Sequence, residues 1–266
     1  MRIRNRFLPV LILAALVACR GREKPARVAV VTTPDVGGMG VAAMLTERFA
    51  RESKVQVSLI VTEERLVAEL VERGIADAVL TVSPALQQDL RKRGAVRLAQ
   101  TIAYNDYLLV GPKRDPARAK TAKTAAEALR RIARRDRAFC SPVDVPELRH
   151  REALLWEASP AEPRDDRRYR VCRGSAGEVL EEASRRGAYT LTDRATFEDA
   201  GKAVDLVPIL QGTPLLHNDL ALLLLRTPKR NPNAEWFVQW VMSYRGRDAI
   251  ERYRYDGGRR LFMRER

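Results

Sequence analysis

From Arg27 onward, short and densely apolar runs alternate with longer stretches whose apolar residues recur at helical spacing. Few folds other than helix-covered, largely parallel sheets accommodate that alternation, because each strand must cross back through a helix before the next can pair. The pattern predicts strands over 27–33, 55–61, 77–82 and 96–102, with helices over 38–52, 64–73 and 84–93. Gly74 and Gly94 mark the ends of the last two helices. Past Gly111-Pro112 a second unit is expected, with helices over 124–135, 145–157 and 177–186 and strands over 138–141, 188–192 and 205–209. The run 220–225 reads as a buried strand, and helices over 231–244 and 246–253 close the chain. Strand pattern alone fits either two lobes of one α/β unit or two unrelated domains. No internal repeat or low-complexity tract interrupts it.

Residues 1–19 have the form of an export leader. Arg2, Arg4 and Arg6 precede an apolar run over 7–17, which is too short to span a bilayer. The run ends Leu16-Val17-Ala18-Cys19, similar to a bacterial lipobox, in which small residues fit the peptidase and the thiol takes the lipid. Cys19 would then be the mature N-terminus and 20–26 a polar tether. The alternative is an ordinary secretory peptide with an incidental cysteine. Both readings place the mature chain outside the cytoplasm, lipid-anchored to the cell envelope in the first.

The chain has 266 residues and a net charge of +14, which falls to +11 (14 − 3) without the leader's three arginines. Of its 48 basic residues, 40 are arginine and 8 lysine, scattered among Ala and Glu on helix faces. A bias toward Arg and Ala explains this more economically than nucleic acid, since no basic stripe interleaved with stacking aromatics occurs. Attraction to an anionic membrane surface or ligand stays open. With Cys19 acylated, Cys140 and Cys172 remain in a compartment where disulfides persist. They either close a loop of about thirty residues, stabilising by roughly 3 kcal/mol, or stand as two separate buried thiols. No CxxC occurs and the only histidines are His150 and His217, so neither a metal nor another cofactor is expected.

Three segments carry a family resemblance. Tyr104-Asn105-Asp106-Tyr107-Leu108-Leu109-Val110-Gly111-Pro112, followed by Asp115-Pro116, is one. Tyr189-Thr190-Leu191-Thr192-Asp193-Arg194 with Thr196 is another, and the stretch 139–156 with Ser141, Asp144, Glu152, Leu155 and Trp156 is the third. They resemble the tungstate-binding periplasmic proteins of ABC transporters, and the likeness extends over most of residues 27–255. It implies a two-lobed type II periplasmic-binding-protein fold, each lobe a mixed sheet flanked by helices, joined by crossing strands. Residues 27–104 plus 218–266 would form the first lobe and 105–217 the second, with 107–110 and 220–225 as the crossings. Ligands in such folds sit beyond the carboxyl ends of the strands.

The ligand loops depart from the family's pattern. Thr32-Thr33-Pro34-Asp35 stands where the family resembles four consecutive hydroxyls. Pro34 removes an amide donor and ionised Asp35 only accepts, although Asp35 also suits a helix cap. Glu63-Glu64-Arg65 replaces a glycine nest, Val82-Ser83-Pro84 lacks the family's histidine, and Ser141-Pro142-Val143-Asp144 has Pro142 in place of its arginine. Arg149 is the nearest substitute along the chain, and Arg173, in Arg173-Gly174-Ser175-Ala176, is a second source of positive charge. If the ligand is an oxyanion, Thr32, Thr33, Ser141, Arg173 and Ser175 are the expected ligand-binding residues, with a solvent-facing side chain as the alternative for Arg173. Asp193-Arg194, although it matches the family, reads as an internal ion pair rather than a ligand contact. The chain's partners would be a small-molecule ligand, an ABC permease and, through Cys19, the membrane, with no nucleic acid and the protein a monomer.

Asp35 with a neighbouring Glu would instead favour a cationic or organic solute. A different class of reading makes the chain an orphan sensor or envelope-interaction protein. Ser141, Asp144 and His150 contain the residue types of a hydrolytic triad, but no Gly-Xaa-Ser-Xaa-Gly elbow is present and no catalysis is expected.

Overall fold

The computed structural model describes residues 27–159, 168–228, 230–255 and 258–263. The expected leader, Cys19 and the expected tether lie outside them. The first part of the chain runs β1 (Val28–Thr32), α1 (Pro34–Gly38), α2 (Val41–Ser53), β2 (Val57–Val61), α3 (Glu64–Glu72), β3 (Ala78–Thr81), α4 (Pro84–Lys92) and β4 (Val96–Tyr104). Next come β5 (Tyr107–Pro112), α5 (Ala125–Arg134), β6 (Phe139–Pro142), α6 (Pro146–Glu157), β7 (Tyr169–Cys172), α7 (Ala176–Arg186), β8 (Tyr189–Asp193), α8 (Arg194–Ala200) and β9 (Leu206–Leu210). The chain ends with β10 (Asp219–Leu225), α9 (Pro232–Met242), α10 (Tyr244–Arg252), β11 (Arg254–Tyr255) and β12 (Arg259–Arg260).

Two five-stranded mixed sheets result. The first has the order β2-β1-β3-β10-β4, with β10 antiparallel to both neighbours; the second has the order β7-β6-β8-β5-β9, with β5 the antiparallel strand. This is the expected two-lobed α/β architecture. Each sheet is apolar on both faces. Leu222 and Leu224 of β10 join the core containing Val30, Leu45 and Phe237, while Ala221, Leu223 and Leu225 join that containing Val31, Val67 and Leu90. A strand buried on both sides reads as a continuous apolar run, which is why 220–225 lacks alternation. In the second sheet, Leu109 and Leu191 pack on one face and Leu108, Val110 and Cys140 on the other.

Helix and strand ends differ from the sequence expectation by one or two residues at most places, and four findings correct it more deeply. The first helix is two: Gly40 adopts φ +70°, and a Cβ there would lie 2.4 Å from the Tyr253 hydroxyl, itself donating to the Met39 carbonyl. β7 was not expected, because an edge strand with Val171 55% exposed carries no apolar alternation. The hairpin β11–β12 also follows the last predicted helix. Finally, 107–110 and 220–225 are not the crossings; they are buried strands within one sheet each, and the chain changes lobes at Asn105-Asp106 and His217-Asn218.

Cys140 and Cys172 form a disulfide across the parallel pair β6–β7, with Cα atoms 5.5 Å apart. Of the two readings the sequence allowed, the bridge is the one formed.

Candidate functional site

Strand direction locates the cleft. The carboxyl ends of β1, β2, β3 and β4 and the amino end of β10 share one edge of the first sheet. The carboxyl ends of β6, β7, β8 and β9 and the amino end of β5 share one edge of the second. Both crossings join these two edges, so the loops after the parallel strands face one another across the link.

On the first lobe, Thr32 is fully buried and its hydroxyl donates to the Leu80 carbonyl at 2.9 Å. Thr33 occupies the N-cap position of α1 without a side-chain capping bond, and its hydroxyl donates to the Asp35 carboxylate. Asp35 is therefore not the cap but a first-turn residue, accepting also from the Val36 amide at 2.9 Å. Glu63 precedes α3 without capping it, while Glu64 accepts from Ser83, whose own oxygen caps α4. This rim presents carboxylates, and its hydroxyl protons are engaged internally.

On the second lobe, Ser141 is buried and donates to Glu152 Oε2 at 2.7 Å. Glu152, 2% exposed, also accepts from Trp156 Nε1 at 2.9 Å and from the Tyr169 hydroxyl. Burial raises the Glu152 carboxyl above its ordinary value against the pull of these three bonds, and Arg149 is close enough to oppose that rise. Arg173 is exposed and pairs with Asp144 at 3.1 Å, while Asp144 also accepts from the Gly174 amide at 3.0 Å. Ser175 forms a capping box with Glu178 at the start of α7. Thus Thr32 and Thr33 stand on one rim, and Ser141, Arg173 and Ser175 on the other. Every hydroxyl among them already donates within the protein. Arg149 is exposed and makes no ion pair among the described residues.

Between the rims lies a buried polar hub. Asn105 donates to Asp193 at 2.8 Å and to the Tyr255 hydroxyl at 2.9 Å, and accepts from the Ala195 amide at 3.0 Å. Asp193, 2% exposed, caps α8 by accepting from Thr196 N and Oγ1 at 3.0 and 2.6 Å. Its ionic partner is Arg259 at 3.4 Å rather than Arg194. The expected Asp193–Arg194 pair does not form because a capping side chain folds back over the first turn, whereas Arg194 points along α8 to Glu198 at 3.6 Å. Asp106 accepts from the Asn218 amide at 3.0 Å, tying one crossing to the other. Arg259 also reaches Glu147 at 2.7 Å, so the β11–β12 hairpin is a third link between lobes.

The model of the family of bacterial extracellular solute-binding proteins matches residues 37–256. The chain belongs to that family. A tungstate-binding protein of Peptoclostridium acidaminophilum is 25% identical over 269 aligned positions, covering 95% of this chain and 94% of its own. The solved tungstate ABC transporter protein from Geobacter sulfurreducens is 29% identical, with TM-score 0.50, covering 85% of this chain and 98% of that one. The tungstate-binding protein from Desulfovibrio alaskensis G20, at 20% identity and TM-score 0.62, covers 90% and 99% and shares the fold.

For this solute-binding protein, the motifs behind the resemblance prove to be architectural. Asn105, Asp106 and Asp193 build the hub, while Asp115 accepts from the Tyr189 hydroxyl at 2.7 Å and from the amides of Ala119 and Lys120, both at 2.9 Å. Gly111 is required because a Cβ there would sit 2.4 Å from the Tyr189 ring. The hydrolytic trio does not assemble: Ser141 bonds Glu152, Asp144 bonds Arg173 and Gly174, and His150 is exposed on α6. The described residues contain no group of three metal-ligating side chains. What sequence reasoning missed was Arg259 with its hairpin, which carries no apolar periodicity to betray it.

Proposed function

We propose that this protein is the receptor of an ABC importer, exported and held to the envelope by a lipid on Cys19, acting as a monomer. Its two lobes close over a small oxyanion of the tungstate or molybdate kind and deliver it to a permease. The observation that carries the oxyanion reading is Arg149. It lies in the first turns of α6, exposed and without an ion pair among the described residues, near the Ser141–Glu152–Tyr169 cluster that feels its charge. Guanidinium matches tetrahedral oxyanions in shape and charge. Arg173 adds a second cation on the same rim, partly neutralised by Asp144. The near full-length similarity to tungstate-binding relatives supports the same reading.

The carboxylate-bearing rim of the first lobe favours a second reading. With the Thr33 proton on Asp35, and with Glu63 and Glu64 exposed, that rim suits a cationic or amine-bearing group. Calorimetric titration of ligand-stripped protein with tungstate, molybdate and sulfate, and in parallel with cationic amines, decides between them. Saturable oxyanion binding that weakens at least about tenfold in Arg149→Ala supports the first reading, that factor being about 1.4 kcal/mol. Saturable binding of cationic amines with no response to the oxyanions overturns it.

A further inference from the structure

The pole of the first lobe farthest from the cleft has its own chemistry. Helices α2, α3 and α4 run back against their strands, so their carboxyl ends meet the starts of β1, β2, β3 and β4 and the end of β10. Bonds from the Val28 amide to the Gln56 carbonyl, from the Asp77 amide to Ala29 and from the Arg226 amide to Ala95 stitch this edge together. Arg27, Arg51, Lys54, Arg91, Lys92 and Arg226 are all exposed there, and none makes an ion pair among the described residues. Nearby Arg97 and Arg230, by contrast, share Glu235. Two large apolar side chains accompany the free cations: Ile75 in the turn after α3 is 39% exposed, and Trp236 of α9 is 44% exposed. Trp236 packs edge-on against Phe49 with ring centroids 5.5 Å apart, which holds its outer face open. The α9 helix starts at this edge, because Asn231 donates to the Arg27 carbonyl at 3.0 Å.

We infer that this pole is a docking face for an anionic phospholipid bilayer. The partner is a membrane because of where the chain enters. On the lipoprotein reading proposed above, on which this orientation rests, eight residue steps join Cys19 to Arg27, and a fully extended chain keeps Arg27 within roughly 30 Å of the lipid. The tether thus delivers the same pole that carries the free cations. Lysine and arginine close to an anionic surface are attracted within about one Debye length, while tryptophan partitions to the headgroup region. The bilayer therefore holds the cleft on the far side of the first lobe, open to solute, while the receptor waits for a permease.

The test uses the unacylated chain from residue 20 to 266, which contains every described element, so that its outcome is separate from whether Cys19 is lipidated. Co-sedimentation compares vesicles of phosphatidylcholine with vesicles containing one quarter phosphatidylglycerol, and tryptophan emission is followed in parallel. Binding to the anionic vesicles alone is expected, weakening with salt, with a blue-shifted emission that Trp236→Phe abolishes. Arg51→Glu, Lys54→Glu, Arg91→Glu and Lys92→Glu together should reduce partitioning by about tenfold or more. Arg134→Glu and Arg137→Glu, at the opposite pole of the second lobe, should leave it unchanged. Equal loss from both sets, or no preference for anionic vesicles by a folded chain, overturns the proposal. The mass of the N-terminal peptide of the exported protein tests acylation independently, so absent lipid with intact vesicle binding would sink the anchor and spare the face.

Discussion

Replacing Asp193 with alanine tests whether the hub between the lobes is held by one buried carboxylate. Asp193 accepts from Asn105 Nδ2, Thr196 N and Thr196 Oγ1 at 2.8, 3.0 and 2.6 Å, and from Arg259 at 3.4 Å. Loss of the helix cap alone costs about 1 kcal/mol. The stranded Thr196 hydroxyl and the unbalanced charge of Arg259, whose side chain is 11% exposed, add about 1–3 kcal/mol. Asn105 keeps Tyr255 as an acceptor and Arg259 keeps Glu147, which caps the total at about 3–4 kcal/mol. Asp193→Asn retains one oxygen for the Asn105 and Thr196 N–H groups but puts an NH2 donor in place of Oδ2, which gives up the bonds from Thr196 Oγ1 and Arg259; the Thr196 hydroxyl can turn to accept, so about 1–2 kcal/mol is expected. In urea titrations followed by intrinsic fluorescence, Asp193→Ala should lower the midpoint most and Asp193→Asn less. Arg259→Met should cost less in the Asp193→Ala background than alone, since the two share one interaction. A loss below about 1 kcal/mol for Asp193→Ala, or full additivity with Arg259→Met, would refute the assignment of the hub to this carboxylate.

Two further outcomes follow from buried chemistry. Desolvation raises the Glu152 carboxyl above 4.5, so its contribution to stability is complete below about that pH and is lost as pH rises through the raised folded value. Melting temperatures of wild type and Glu152→Gln measured from pH 4 to 8 should therefore differ by a pH-dependent amount, with the wild type gaining relative to the variant on acidification; a constant difference contradicts the reading. The Cys140–Cys172 bridge, across a sequence separation of 32, stabilises by about 3–4 kcal/mol on the loop-entropy model. Reductant, or Cys140→Ala with Cys172→Ala, should lower the melting temperature by several degrees, and an insensitive protein would mean that the thiols are not bridged.

The amino-acid sequence by itself determined the layered α/β architecture. Short continuous apolar runs such as 220–225 suit strands buried on both faces, and the amphipathic stretches between them suit helices that lie over those faces. The motifs at 104–112 and 189–196 were legible through their resemblance to a family, and in the second a local demand is also visible, since Asp193 answers the first turn of α8. Contacts between distant segments leave no such local trace. That Asp193 meets Arg259, 66 residues on, and that Ser141 gives its proton to Glu152 were decided only in three dimensions. Part of the candidate site is in that second class, with Thr32 bonded to Leu80 and Ser141 to Glu152, while Thr33 and Ser175 bond close neighbours. A threonine or serine in a ligand loop is a potential donor in sequence, but a hydroxyl has one proton, and only the packed structure shows that Thr32, Thr33, Ser141 and Ser175 have each directed theirs inward.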